Sequence, residues 1–113
     1  MLKFSTMQRD GDITILRLEG ELDPYTAQDF LDGVADLIEK GNRKIIVDCD
    51  NLNYISSLGL GALVRVHARM KRRGGDVKVT GLKGPVADVF RVTMLYKVFS
   101  MYESVNDAVK DFQ

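Results

Sequence analysis

Apolar and polar positions change their period along this chain, and the changes mark out its elements. Leu2 to Arg9 and Ile13 to Glu19 are rich in apolar and β-branched residues on either side of Asp10-Gly11-Asp12, which predicts a β-hairpin. After Gly20-Glu21-Leu22, Asp23-Pro24 sets an acceptor side chain before a proline of fixed φ, so a helix is expected to start there with Pro24 at its first position. Ala27, Phe30, Leu31, Val34, Leu37 and Ile38 then fall at the i, i+3, i+4, i+7 spacing of one buried stripe, and Gly41-Asn42 is a stop signal.

Lys44 to Cys49 contains Ile45-Ile46-Val47 without alternation, the pattern of a strand covered on both faces, as in a parallel sheet. Asp50 to Ser56 is expected to be the loop at its carboxyl end, where α/β sheets place functional groups. A second helix is predicted from Ser57 to about Arg73, with Leu60, Leu63, Val66, His67 and Met70 on its apolar side and Gly74-Gly75 ending it. Val77 to Thr80 reads as a strand. Gly84-Pro85 opens a short helix with Val86, Val89 and Phe90 on one face. Val98 to Met101 predicts a last short strand, and Ser104-Val105-Asn106-Asp107 has capping-box spacing before a terminal helix through Ala108, Val109 and Phe112. The order ββαβαβαβα implies an α/β fold with a mixed, mainly parallel sheet built by right-handed crossovers.

Composition narrows the function classes. A chain of 113 residues with 45% hydrophobic content fits one domain spanning 1–113. Sixteen basic residues balance sixteen acidic ones, so no global field recruits nucleic acid or an anionic membrane, and recognition should be local. No apolar run is long enough to span a bilayer and the first residues lack a signal-peptide pattern, so the chain is expected to be cytoplasmic. Cys49 is the only cysteine, which excludes an internal disulfide and a cysteine-rich metal site.

Candidate chemistry centres on Tyr54 to Leu63. Ser57 stands where the cap of the second helix is expected, able to satisfy a free amide of its first turn. Gly59 and Gly61 remove bulk beside that hydroxyl, so another protein's backbone or a phosphate could come close. Gly59-Leu60-Gly61 also matches two glycines of a dinucleotide fingerprint, but Val64 replaces the third and the next strand ends in Thr80-Gly81 without an acidic residue. His67 lies mid-helix on the apolar side, as a packed core histidine would. Cys49 has no second histidine to activate it, and Asp48 with Asp50 supplies too few oxygens for a hard cation. Arg65, Arg69 and Arg72 form a basic stripe read first as a solvated face, with an acidic partner surface as the lesser alternative.

Gly20-Glu21-Leu22-Asp23, Ile45-Ile46-Val47-Asp48, Tyr54-Ile55-Ser56-Ser57-Leu58-Gly59-Leu60-Gly61 and Gly74-Gly75 together resemble the STAS domain family, in particular the bacterial anti-sigma factor antagonists, over nearly the whole chain. The resemblance implies a mixed sheet with helices in the order above; the residues themselves supply no catalytic group, cofactor site or metal site, so no enzymatic activity is expected. The resemblance makes Ser57 the phosphorylation site, with Ser56 as the alternative acceptor. It assigns partner binding to Asp23, Pro24, Tyr25 and Thr26 together with Ser56, Ser57, Leu58, Gly59, Leu60 and Gly61. The unphosphorylated antagonist binds an anti-sigma factor and frees the sigma subunit; phosphorylation by that factor, acting as an ATP-dependent serine kinase, releases it, and a serine phosphatase resets the cycle.

Two residues depart from the family pattern. Ser56 stands where the best-known antagonists carry Asp before the phosphoacceptor, and Leu58 stands where a second small residue often follows it. The alternative role is a constitutive STAS subunit of another assembly, such as a lipid-transport ABC complex. A monomer is the favoured oligomeric state.

Overall fold

In the computed structural model, which describes residues 1–113, the chain opens with β1 (Leu2–Arg9) and β2 (Ile13–Leu22). They pair antiparallel from Leu2↔Gly20 to Arg9↔Ile13 around the predicted turn. There follow α1 (Ala27–Glu39), β3 (Lys44–Ile55), α2 (Ser57–Arg72), β4 (Asp76–Thr80) and α3 (Gly84–Val92). A short 3₁₀ turn at Leu95–Lys97 leads into β5 (Ser100–Tyr102), and α4 (Val105–Phe112) ends the chain. The order is the ββαβαβαβα expected from the periodicity.

The five strands lie side by side in sequence order, with β2 through β5 parallel. Each crossover advances one strand in the same direction, and a constant right-handed sense therefore lays α1, α2 and α3 on one face. The main core confirms this. Phe30, Val34 and Ile38 of α1, Leu63, Val66 and Met70 of α2, and Val86 and Phe90 of α3 pack with Leu16, Leu18, Ile45, Val47, Val77 and Val79 of the sheet. On the opposite face α4 buries Ala108 and Val109 against Ile13, Ile15 and Ile46. Ile45-Ile46-Val47 is thus apolar throughout because neighbouring residues face two different cores.

The α1 stripe is as predicted, with Ala27, Phe30, Val34 and Ile38 buried and Leu31 and Leu37 packed at its margins. The helix starts later than the Asp23-Pro24 signal suggested. Asp23 Oδ1 accepts the amides of Tyr25 (2.9 Å) and Thr26 (3.0 Å), so Asp23 to Thr26 close a separate turn and Pro24 sits in that turn. At the other end Gly41, at φ +99°, reverses the chain while its amide reaches the Ile38 carbonyl.

Asp50 to Ile55 corrects a second expectation, because it is strand and not loop. The extension is paired by β2 alone: Glu19↔Asn51, Gly20↔Leu52, Glu21↔Tyr54 and Leu22↔Ile55, with register shifts on the way. Pairing with β4 stops at Asp48↔Thr80, so this end of β3 and β2 projects beyond the rest of the sheet. The last strand also falls later than predicted. Val98 and Phe99 follow the 3₁₀ turn and pairing with β4 begins at Ser100.

Candidate functional site

The projecting ends of β2 and β3 deliver two segments to one place. Ser56 N–H donates to the Leu22 carbonyl at 2.9 Å, so the residue preceding Asp23 is joined to the residue preceding Ser57. Gly59 tightens the junction. A Cβ there would overlap the Leu22 carbonyl oxygen and lie 2.8 Å from Leu22 Cγ, so only glycine lets α2 approach β2 this closely. This corrects the view that Gly59 clears space for a partner, since its missing side chain is filled from within and the residue is buried. Gly61 does leave open space, with nothing within 4 Å of a built Cβ, and it is exposed.

The two serines divide their work differently from the expectation. Ser56 is the N-cap of α2: it is extended, at φ −89° and ψ 171°, and its Oγ accepts the Gly59 amide at 3.0 Å. Its side chain is buried. Ser57 is therefore the first helical residue and not the cap. It is exposed, and its hydroxyl is free of the hydrogen bond that holds Ser56. The amides of Ser57 and Leu58 belong to the first turn, whose donors have no partner within the helix, and no acidic residue lies in that turn. The site is thus a free hydroxyl at the positive end of a 16-residue helix.

Beside it, the Asp23–Thr26 turn is closed by its own hydrogen bonds. The Thr26 hydroxyl accepts the Asp23 amide at 3.0 Å and lies 3.0 Å from the Glu21 carbonyl oxygen and 3.1 Å from Asp23 Oδ1, to which it can donate its single proton. Burial pushes the Asp23 carboxyl up, but the Thr26 hydroxyl and the Tyr25 and Thr26 amides outweigh it and hold it below the usual carboxylate range. Asp23 is consequently a fixed negative charge at the edge of the site. Pro24 and Tyr25 are exposed, and Tyr25 is 91% accessible.

Apolar groups surround these polar ones. Leu58 is 62% exposed and Leu60 is half-buried against the core. Tyr54, which was not among the partner-facing residues proposed from sequence, is 51% exposed at the end of β3, opposite Glu21 of β2. Its signal was hidden by the assumption of a loop at Asp50–Ser56. In a paired strand, an exposed tyrosine between buried Leu52 and Ile55 would have stood out.

The other candidates occupy the core. Burial pushes the Cys49 thiol up to about 12, with a lesser push from the Asp48 charge, so it is no nucleophile near neutral pH. His67 is buried and meets the Phe99 ring edge-on at 4.7 Å between centroids, with Nε2 3.6 Å from Asp76. Asp48 is buried, receives Arg17 Nε at 3.2 Å and accepts the Asp50 amide at 3.0 Å. Arg65, Arg69 and Arg72 lie on the flank of α2 that faces α1, where they line a cleft between the two helices.

The α/β domain thus assembles, at one end of its sheet, a capped helix N-terminus beside an acidic turn with exposed apolar side chains around them. The STAS domain family model matches residues 5–108, and the chain belongs to the STAS domain family. Among its relatives is BtrV of Bordetella bronchiseptica, provisionally assigned as an anti-sigma factor antagonist, 27% identical over 108 residues that span 96% of this chain and 93% of that one. The anti-sigma F factor antagonist of Paenibacillus polymyxa is 24% identical over 108 residues, 95% of this chain and 92% of its own. A Thermotoga maritima crystal structure with the same provisional assignment as BtrV superimposes with TM-score 0.90 at 26% identity, covering 96% of this chain and 92% of that one.

Proposed function

We propose that this chain is an anti-sigma factor antagonist of the partner-switching kind, without enzymatic activity of its own, and that Ser57 is its phosphoacceptor. The observation that carries this is the separation of the two hydroxyls: Ser56 is committed to the Gly59 amide, while Ser57 stands free on the surface. In the unphosphorylated state the partner rests on Asp23 to Thr26 and on Ser56 to Gly61, with Tyr25 and Leu58 as exposed apolar contacts, while Gly59 sets the shape from beneath. The partner is an anti-sigma factor with serine kinase activity. The Ser57 oxygen takes the terminal phosphoryl group of the nucleotide that partner holds, the hydroxyl proton leaves, and the nucleoside diphosphate departs.

The new group carries roughly −1.5 to −2 charges. Its own helix tolerates it, because the first turn of α2 presents free amides and no carboxylate. The partner does not, because the charge enters a packed contact beside Asp23, whose carboxylate is already ionised. Release is therefore electrostatic and the fold is unchanged. A serine phosphatase restores the hydroxyl.

The Ser56 position favours a second reading, a constitutive STAS subunit of another assembly, because no acid precedes Ser57 to help position a kinase. Incubation with the cognate kinase and ATP followed by phosphopeptide mass spectrometry decides between them. Phosphate on Ser57, together with loss of partner binding in Ser57→Asp measured by calorimetry, is the expected result. An unmodified chain, or a Ser57→Asp variant that binds as wild type does, would overturn the switch and leave the constitutive role.

A further inference from the structure

The cleft between α1 and α2 has a volume of about 390 Å³ and plays no part in the switch described above. Gln28, Leu31 and Asp32 line it from α1, and Arg65, Arg69 and Arg72 from α2. Its charges are unevenly satisfied. Arg69 reaches Glu39 at 3.0 Å, and Arg73 holds the same carboxylate oxygen at 2.9 Å. The Gln28 amide donates to Asp32 at 2.9 Å. Arg65 and Arg72 are exposed and enter none of the chain's ion pairs. The cleft therefore holds two unpaired guanidinium groups against the single carboxylate of Asp32, in a chain whose formal net charge is zero.

The cleft also lies between the two helices that start at the Ser57 surface. α1 follows directly on the Asp23–Thr26 turn and α2 begins at Ser57, so both helices run away from that surface with the cleft between them. At about 1.5 Å per residue, Arg65 lies roughly 12 Å and Arg72 roughly 22 Å beyond Ser57 along α2. A partner covering about 800 Å² occupies a patch roughly 30 Å across, enough to span Ser57 and both arginines.

We propose that the α1–α2 cleft receives a carboxylate-rich segment of the same protein partner that docks on Ser57. The proposal rests on the reading of Ser57 as a partner-facing residue. Guanidinium forks pair with carboxylates in bidentate geometry, and unpaired ones on an otherwise balanced surface select an acidic segment over a basic one. The contact adds affinity and orientation along α2, and it lies outside the reach of the phosphate, so it steers association in both states of the switch.

A decaglutamate peptide titrated into the isotopically labelled chain, read by NMR, tests the cleft apart from Ser57. Amide shifts confined to α1 and α2 are expected. The Arg65→Gln/Arg72→Gln variant should bind roughly tenfold more weakly, at about threefold per exposed charge. Lysine at both positions should restore only part of the affinity, the share that comes from charge without the bidentate fork. Raising salt from about 50 to about 300 mM should weaken the wild type far more than the double glutamine variant, because the screening length shortens. In about 150 mM salt Ser57→Asp should bind the peptide within about twofold of wild type, since a charge roughly 12 Å or more away then lies beyond the screening length of about 8 Å. Shifts scattered over the surface, or a glutamine variant binding as tightly as wild type, would overturn the proposal. Failure of the Ser57 switch would appear separately, as unaltered binding of the purified anti-sigma partner by Ser57→Asp.

Discussion

Replacing each serine of the Ser56-Ser57 pair by alanine separates structure from switching. Ser56→Ala removes the oxygen that accepts the Gly59 amide at 3.0 Å. An N-cap serine contributes about 0.5–2 kcal/mol, and the loss belongs in the upper half of that range because the abandoned amide is in a buried residue. With about 2.1 cal/mol/K of unfolding entropy per residue, 113 residues give roughly 240 cal/mol/K, so a loss of about 1.3–2 kcal/mol lowers Tm by roughly 5–8 °C. Ser57→Ala removes a hydroxyl with no such bond from an exposed position, and its stability should change by less than about 0.5 kcal/mol, or roughly 2 °C.

The functional effects run the other way. Differential scanning calorimetry of the two variants, paired with kinase assays on the same samples, should show Ser56→Ala less stable but still phosphorylated, and Ser57→Ala stable but unmodified. A Ser57→Ala variant that melts several degrees lower beside an unperturbed Ser56→Ala would place the cap on Ser57. The division of labour would then be refuted.

The two glycines of the same helix make an opposed pair. Gly59→Ala should cost about 1–3 kcal/mol in urea unfolding, because the new methyl overlaps the Leu22 backbone, whereas Gly61→Ala should gain about 0.5–1 kcal/mol, because the space is open and alanine is the better helix former. Acid should also weaken the fold through His67: burial, aided by the Lys71 charge and opposed by Asp76, lowers its proton affinity below the ordinary 6.5. The unfolded chain then binds more protons than the native one, so this contribution is complete above pH 6.5 and is lost as pH falls toward the native value. Melting curves at descending pH should show a decline that His67→Phe flattens, and an identical decline in that variant would clear His67 of the effect.

How much of this was legible depended on whether one segment could decide its own structure. The stripe from Ala27 to Ile38 carries its period within itself, and its helix formed as read. Ile45-Ile46-Val47 likewise announced a doubly covered strand. Asp50 to Ile55 carries Asp and Asn at three positions, types depleted in strands, and became strand because β2 extends alongside and pairs with it. That partnership is a tertiary fact with no local signal. Asp23-Pro24 misled for the opposite reason: its local chemistry was strong but was satisfied by a turn closed on Thr26 before the helix began. At Ser56-Ser57 two identical side chains stand one residue apart, within the uncertainty of any helix start, and only the bond to Gly59 tells them apart.

That single-residue displacement changes what the site can do. Had Ser57 been the cap, phosphorylation would have competed with the bond that starts α2, and the switch would have frayed the helix it depends on. With Ser56 holding the Gly59 amide and the Leu22 carbonyl holding Ser56, the helix start is pinned on the side away from the free hydroxyl. Gly59 makes the pinning tight by letting α2 rest on the β2 backbone. On the proposed reading, a phosphate added to Ser57 would alter the charge of a rigid surface beside Asp23 without loosening the helix start. Ser56, which stands where the resemblance leads one to expect an acid, is thereby a structural element, the buried cap that leaves Ser57 free.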